Sequence, residues 1–269
     1  MRTTEIVRDG ARLVAEDTGG EGIPAVFQHG LGGDALQAAE AFPDDARFRR
    51  LTLECRGHGR SAAGEFRSLS IATFADDVAA MIEASGLGPL AIGGISMGAA
   101  ISLRLAVRRP DLVRALVLAR PAWVVDVAPP NMAATLEIGR LLLSLPPAEA
   151  RAAFEASATA RQLALEAPDN LATLVGFFER PAPDVTAALL TAISLDGPQI
   201  SADEVRAVRV PTLIIATGRD QIHPVSHAEE LAGMITGARL MRITSKSDDR
   251  AGYVADMRAL LSDFLGRLP

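Results

Sequence analysis

The 269-residue chain has a single cysteine, Cys55, so no intramolecular disulfide can form. A chain of this length buries a core without such staples, and its cysteine usage fits a reducing compartment, the cytoplasm. Aromatic residues make up only 4% of the chain, too few for a stacking platform for sugars or nucleobases. No apolar run approaches the ~18 residues that a membrane span needs. The first ten residues lack the apolar stretch of a cleaved secretory signal. The net charge is -6 and the pI about 5.3, which argues against nucleic acid or an anionic membrane as partner. Lysine is almost missing: of 27 lysine and arginine residues, Lys246 is the one lysine. One cysteine and four scattered histidines give no metal-ligand spacing. The expectation is a small-molecule substrate, no metal and no cofactor; monomer and homo-oligomer are equally compatible with the sequence.

What is present reads as α/β. A hairpin is expected around Asp9-Gly10, between Thr4–Val7 and Arg12–Ala15. Strands are expected at Pro24–Phe27, Arg50–Glu54, Pro89–Ile95 and Arg114–Ala119. The third of these carries no charge, as in a parallel sheet covered on both faces. Ile71, Phe74, Val78 and Ile82 fall at helical spacing, with Gly86 placed to end the helix. A second apolar helix is expected over Ala99–Val107. Strand–helix–strand alternation implies a mostly parallel sheet with helices on both faces. From Ala122 to about Gln199 only helical patterns occur, clearest over Asn131–Ser144 and Asp169–Arg180. The division expected is a core of 1–121 and 199–269 with a helical lid inserted at 122–198. The α/β rhythm then resumes with a strand at Pro211–Ala216, a helix at Pro224–Met234 and a strand at Leu240–Thr244. The last helix has an apolar stripe of Tyr253, Met257, Leu260, Leu261 and Phe264.

Three loops carry chemistry. Gly94-Ile95-Ser96-Met97-Gly98 lies between an apolar strand and an alanine-rich helix, the setting of a nucleophile elbow. Its glycines allow the backbones to crowd, and the helix start offers free N–H groups and a positive dipole end. The bland alternative is a glycine-rich turn with an incidental serine. His29-Gly30-Leu31-Gly32-Gly33-Asp34 follows a strand, and the N–H groups of Leu31 and Met97 would pair as an oxyanion hole; His29 itself reads as a structural turn residue. Gly218-Arg219-Asp220 follows a later strand, where a carboxylate can orient an imidazole or simply face solvent.

In this order of loops, with an R-G-x-G-x-S turn at Arg56–Ser61, the chain resembles the α/β-hydrolase superfamily over nearly its whole length. The serine is similar to that of the esterase and lactonase branches; the dehalogenase and epoxide hydrolase branches use aspartate there. The resemblance implies a Gly-His pair after the last strand. Here that stretch, Thr244 to Arg250, has no histidine, and the implied position falls near Asp248. A carboxylate is a poor base for serine.

The substitutes are few. His227 is expected on an exposed helix face, and His58 in the structural corner of the R-G-x-G-x-S turn. His223 is three residues after Asp220, within easy reach of it. Pro224 would start the next helix with His223 as its N-cap, where the dipole favours a neutral imidazole. The alternative is that His223 only caps the helix or lines the pocket. Lys246, in the loop that should deliver the base, would bind a substrate carboxylate or phosphate, or form a salt bridge with Asp248 or Asp249; as a base its pKa would have to fall far. Trp123 and Arg120 are candidates to line the pocket, with packing at the lid hinge as the default, and Gln37, after the oxyanion loop, is a candidate for substrate contact that nothing in the sequence requires.

Three functions remain open at this point. One is a serine-dependent hydrolase of a small ester, thioester, lactone or C–C substrate. In it Ser96 attacks, His223 takes the proton, Asp220 orients it, and an acyl-enzyme forms. The second is a cofactor-free lyase or isomerase, and the third a non-catalytic small-molecule-binding homologue.

Overall fold

The computed structural model describes residues 1–268. Eight strands form one sheet in the order β1 (Arg2–Arg8), β2 (Ala11–Asp17), β4 (Phe48–Glu54), β3 (Ile23–Gln28), β5 (Leu90–Ile95), β6 (Val113–Ala119), β7 (Thr212–Thr217) and β8 (Arg239–Ile243). The hairpin β1–β2 and the β2–β4 pair are antiparallel, and all later pairings are parallel. β5 and β7 are buried at every position, which explains their uncharged sequences.

Helices cover both faces. α1 (Ala35–Ala41) and α11 (Arg250–Gly266) pack on one side, against a core that includes Phe27, Phe42, Val117 and Leu213. α2 (Ile71–Ser85) and α3 (Met97–Arg108) pack on the other, against a larger core. α2 shows why. Ser70 caps it by accepting the Thr73 N–H, and Gly86, at φ 66°, ends it. Ile71, Phe74, Val78 and Ile82 are buried along one stripe, each contributing roughly 1.5–3 kcal/mol. The stripe of α11 is narrower than expected. Tyr253, Met257, Leu261 and Leu265 are buried, whereas Leu260 and Phe264 only lean on the core.

Between β6 and β7 the chain is helical: α4 (Ala133–Ser144), α5 (Pro147–Glu155), α6 (Ala158–Glu166), α7 (Pro168–Val175), α8 (Pro183–Ser194) and α9 (Ala202–Arg206). α7 continues as a 3-10 turn to Glu179 rather than as one helix to Arg180. α10 (Val225–Met234) precedes β8. Among the described residues no helix is long and apolar enough to cross a membrane.

Candidate active site

Adjacent parallel strands deliver the site from their C-terminal ends, where open α/β sheets place ligands. β5 ends at Ser96. Its backbone is forced to φ 57° and ψ -111°, a region that costs a non-glycine residue of order 1–3 kcal/mol. The Ser96 N–H donates to the Ala119 carbonyl at 3.0 Å, pinning the turn to the end of β6. The flanking glycines are required sterically. A Cβ on Gly94 would stand 2.7 Å from the Gln28 carbonyl oxygen, and one on Gly98 2.5 Å from the same atom.

The loop after β3 is held rigid beside the elbow. Asp34 caps α1, Gln37 Oε1 accepts the Gly30 N–H at 2.7 Å, and the Gly33 N–H donates to the Gly30 carbonyl at 2.9 Å. Arg180 reaches in from the helical segment to the Gly32 carbonyl. A Cβ on Gly30 would lie 3.3 Å from the Ser96 Cβ, so loop and elbow touch. Among the described residues the N–H groups of Leu31 and Met97 meet no protein acceptor. Gln37 therefore shapes this loop and also lines the cavity over Ser96.

Arg120 begins the next loop, directly after β6, at φ 47° and with its N–H donating to the Ile215 carbonyl at 2.7 Å. Its guanidinium is buried over the Tyr253 ring, 5.6 Å from the centroid, and contacts Asp220 Oδ2 at 2.6 Å. Asp220, on the loop after β7, points its other oxygen at His223: Nδ1 to Oδ1 is 2.8 Å, and the His223 N–H donates to Oδ1 at 3.0 Å. Arg120 Nη2 also stands 3.2 Å from His223 Nδ1. A carboxylate only accepts and a guanidinium only donates, so Nδ1 must choose. The shorter contact to an anion wins. Nδ1–H donates to Asp220, and Nε2 carries a bare lone pair. Nε2 is buried with no hydrogen-bond partner, so no bond joins it to Ser96 at rest.

Burial lowers the pKa of His223 against the pull of Asp220, with help from the charges of Arg120 and Lys246, so the ring is neutral near pH 7. Burial pushes Asp220 up, but His223 and Arg120 outweigh it and hold the carboxyl well below its usual range. Burial also opposes the charge of Arg120; Asp220 and Tyr253 more than offset it, and its pKa rises.

Ser96 and His223 line one cavity of about 70 Å³, shared with Leu31, Gln37, Arg120 and Lys246. Phe177, Leu174 and Ile222 supply its apolar wall. Two asparagines tie the helical segment to the acid loop. Asn170 Oδ1 accepts the Gln221 N–H at 2.8 Å, and Asn131 Nδ2 donates to the Ile222 carbonyl at 2.6 Å. A larger open depression of about 800 Å³ lies at the opposite, N-terminal ends of the strands, between Thr18, Asp45 and Arg258. Among the described residues no three of His, Cys, Asp and Glu are grouped to hold a metal ion.

Several expectations are corrected. Pro224, not His223, is the N-cap of α10; the loop after β7 holds the imidazole one residue ahead of that cap. His227 is half-buried rather than exposed, because its helix face meets the Ala122 backbone. Trp123 is buried away from the cavity, its Nε1 donating to the Asp196 carbonyl at 3.0 Å. Lys246 pairs with Asp169 of α7 at 3.1 Å, not with its sequence neighbours. Asp248 turns outward to Arg219, and Asp249 caps α11. His29 and His58 are fully buried, their ring centroids 4.9 Å apart and their planes tilted by 44°; His29 Nε2 accepts the Cys55 N–H at 3.0 Å. The roles of Tyr253, Asn131 and Asn170 had no signal in the sequence beyond polar atoms on apolar helix faces.

The family model described as alpha/beta hydrolase fold matches residues 24–245. A putative carbamate hydrolase RutD from Klebsiella pneumoniae is 29% identical over 233 residues, 81% of this chain and 82% of that one. An (E)-2-((N-methylformamido)methylene)succinate hydrolase from Acinetobacter baylyi is 34% identical over 103 residues; the match spans 37% of this chain and 38% of that protein. The enol-lactonase from Burkholderia xenovorans LB400 superposes with a TM-score of 0.74 at 22% identity, over 98% of this chain and all of that one (100%).

Proposed function

Because the chain belongs to the alpha/beta hydrolase fold family, we propose that it is a serine-dependent hydrolase of a small ester, thioester, lactone or C–C substrate. Residues 122–198 serve as its helical lid. Ser96 Oγ attacks the carbonyl carbon, and His223 Nε2 takes its proton. Asp220 holds the imidazole in the required tautomer and stabilises its cation. The Leu31 and Met97 N–H groups receive the oxyanion. His223 then returns the proton to the leaving group. Water, deprotonated by the same nitrogen, then attacks the acyl carbon; the acyl–Oγ bond breaks, the acid leaves, and Ser96 Oγ takes the proton back from His223.

The observation that carries this reading is the His223–Asp220 bond of 2.8 Å combined with an unpartnered Nε2 on a histidine that lines the same cavity as Ser96. The missing Ser96–His223 bond is no obstacle, since such contacts often close only around substrate. The relatives' printed names, hydrolases of a carbamate and of a succinate derivative, support the class.

The reading is tested with a fluorophosphonate probe and intact-mass measurement. We expect one adduct, absent in Ser96→Ala and in His223→Ala. An adduct that persists in His223→Ala would move the base elsewhere. No adduct in the unmodified protein would overturn the hydrolase reading.

One observation favours a second reading, a cofactor-free lyase or isomerase. Arg120, 3.2 Å from His223 Nδ1, opposes the imidazolium that acyl transfer requires. In that reading His223 and the oxyanion hole move protons and polarise substrate while Ser96 stays underivatised.

A further inference from the structure

The charged side chains on the cavity wall are all cationic. Arg120 and Lys246 line it, whereas their partners Asp220 and Asp169 do not. Neither carboxylate is a lining residue, so of each ion pair the cavity meets the cation. The two cations are not equivalent. Arg120 is committed to Asp220, with Nε at 2.8 Å and Nη2 at 2.6 Å. Lys246 makes one contact, to Asp169 Oδ1 at 3.1 Å, and its side chain keeps 21% of its exposure. An ammonium has three donors, so Lys246 can turn most of them to a ligand. The arrangement has a cost: Asp169 Oδ2 is buried without a hydrogen-bond partner. In a chain that otherwise uses arginine throughout, the flexible point charge stands at the cavity.

We infer that Lys246 recognises a carboxylate on the substrate, so that the preferred ligand is a short-chain hemi-ester or similar monoanion. The inference rests on the hydrolase reading for the ester half of that ligand. A monoanion fits better than a phosphate dianion, because each cation already faces the full unit charge of its own carboxylate. Size points the same way. A cavity of about 70 Å³ leaves little space for a bulky or lipid-like chain.

The test reads binding apart from turnover. The monomethyl esters of malonate, succinate and glutarate are titrated calorimetrically into the Ser96→Ala protein at low salt. Each is compared with its neutral methyl-ketone counterpart: methyl acetoacetate, methyl levulinate and methyl 5-oxohexanoate. At least one acid should bind about tenfold tighter than its ketone, the scale of a hydrogen bond to a charged group. Adding Lys246→Met should erase that ratio. Adding Asp169→Asn should widen it, because the ammonium is freed; a purely structural pair would give weaker binding instead. Ratios near one at every length, no binding by any compound, or a preference that survives Lys246→Met would overturn the inference. None of these outcomes depends on an acyl-enzyme, which the fluorophosphonate adduct reports separately.

Discussion

His223 Nδ1 lies 2.8 Å from Asp220 Oδ1, and the His223 backbone N–H lies 3.0 Å from the same oxygen. One carboxylate atom thus fixes both the ring and the main chain of a residue three positions later. In the proposed mechanism a single loop therefore supplies both the orienting carboxylate and the base. Asp220→Asn removes the charge that selects the Nδ1–H tautomer and leaves Arg120 without its anion. We expect kcat on 4-nitrophenyl acetate to fall by roughly 10³–10⁴, the scale seen when such an aspartate is made neutral, with KM little changed. A loss below tenfold would remove Asp220 from the proton path.

Arg120 sets where that path works. Burial, helped by the Arg120 charge, holds the His223 pKa below its ordinary value against the pull of Asp220. The unprotonated base therefore persists at mildly acidic pH, and kcat/KM should be flat around neutrality. Arg120→Leu removes a cation, so the acid limb should move to higher pH. A profile that keeps its inflection while only its height drops would mean that Arg120 acts through Asp220's position alone.

The fold was legible because its signals are local and redundant. An apolar strand followed by Gly94-Ile95-Ser96-Met97-Gly98 leaves one workable geometry, and the atoms that a Cβ would strike show why. The Asp220–His223 pair was legible for the same reason, since three residues of loop cannot separate them. The partners of Lys246 and Arg120 were not. Asp169 lies 77 positions before Lys246 and Asp220 lies 100 after Arg120, and only the packing of helix α7 and strand β7 brings them together. The short helix α1 was also hidden, because seven residues with three alanines buried show little periodicity. Asp248, where the resemblance implied a base, turns outward to Arg219 and does not line the cavity.

The four histidines predict an acid-side weakness. Burial is the first cause for each of them, and all four have lowered pKa values. The unfolded chain, with histidines near 6.5, therefore binds more protons than the folded one just below that pH. Stability then rises with pH up to about 6.5 and is lost as pH falls through that window. The Asp220 contribution fails separately, below the ordinary carboxylate range, because its folded pKa is depressed. Urea midpoints should be level between pH 7 and 8 and fall from pH 6.5 to 5. His58→Gln should flatten that slope, since His58 Nε2 is buried without a partner and its pKa is lowered well below the ordinary value. An unchanged slope would assign the acid sensitivity elsewhere.

A buried ion pair behind the site gives the sharpest stability test. Arg56 Nε contacts Asp77 Oδ2 at 2.7 Å, with both side chains 1% exposed. Arg56 also reaches Asp9 at 2.9 Å, but that carboxylate is 71% exposed and screened by water. Asp77→Ala would leave the guanidinium buried with only this weak partner, a loss of roughly 3–5 kcal/mol. Replacing both, as Arg56→Met with Asp77→Leu, removes two desolvated charges together, so most of that loss should return. The comparison separates the worth of the pair from the penalty of an orphaned charge. Equal destabilisation of the single and double variants would mean that the pair fixes the geometry of the Arg56–Ser61 turn. In that case the fluorophosphonate reaction at Ser96 should slow in both, because the His58 ring of that turn packs at a tilt against His29, at the start of the loop after β3.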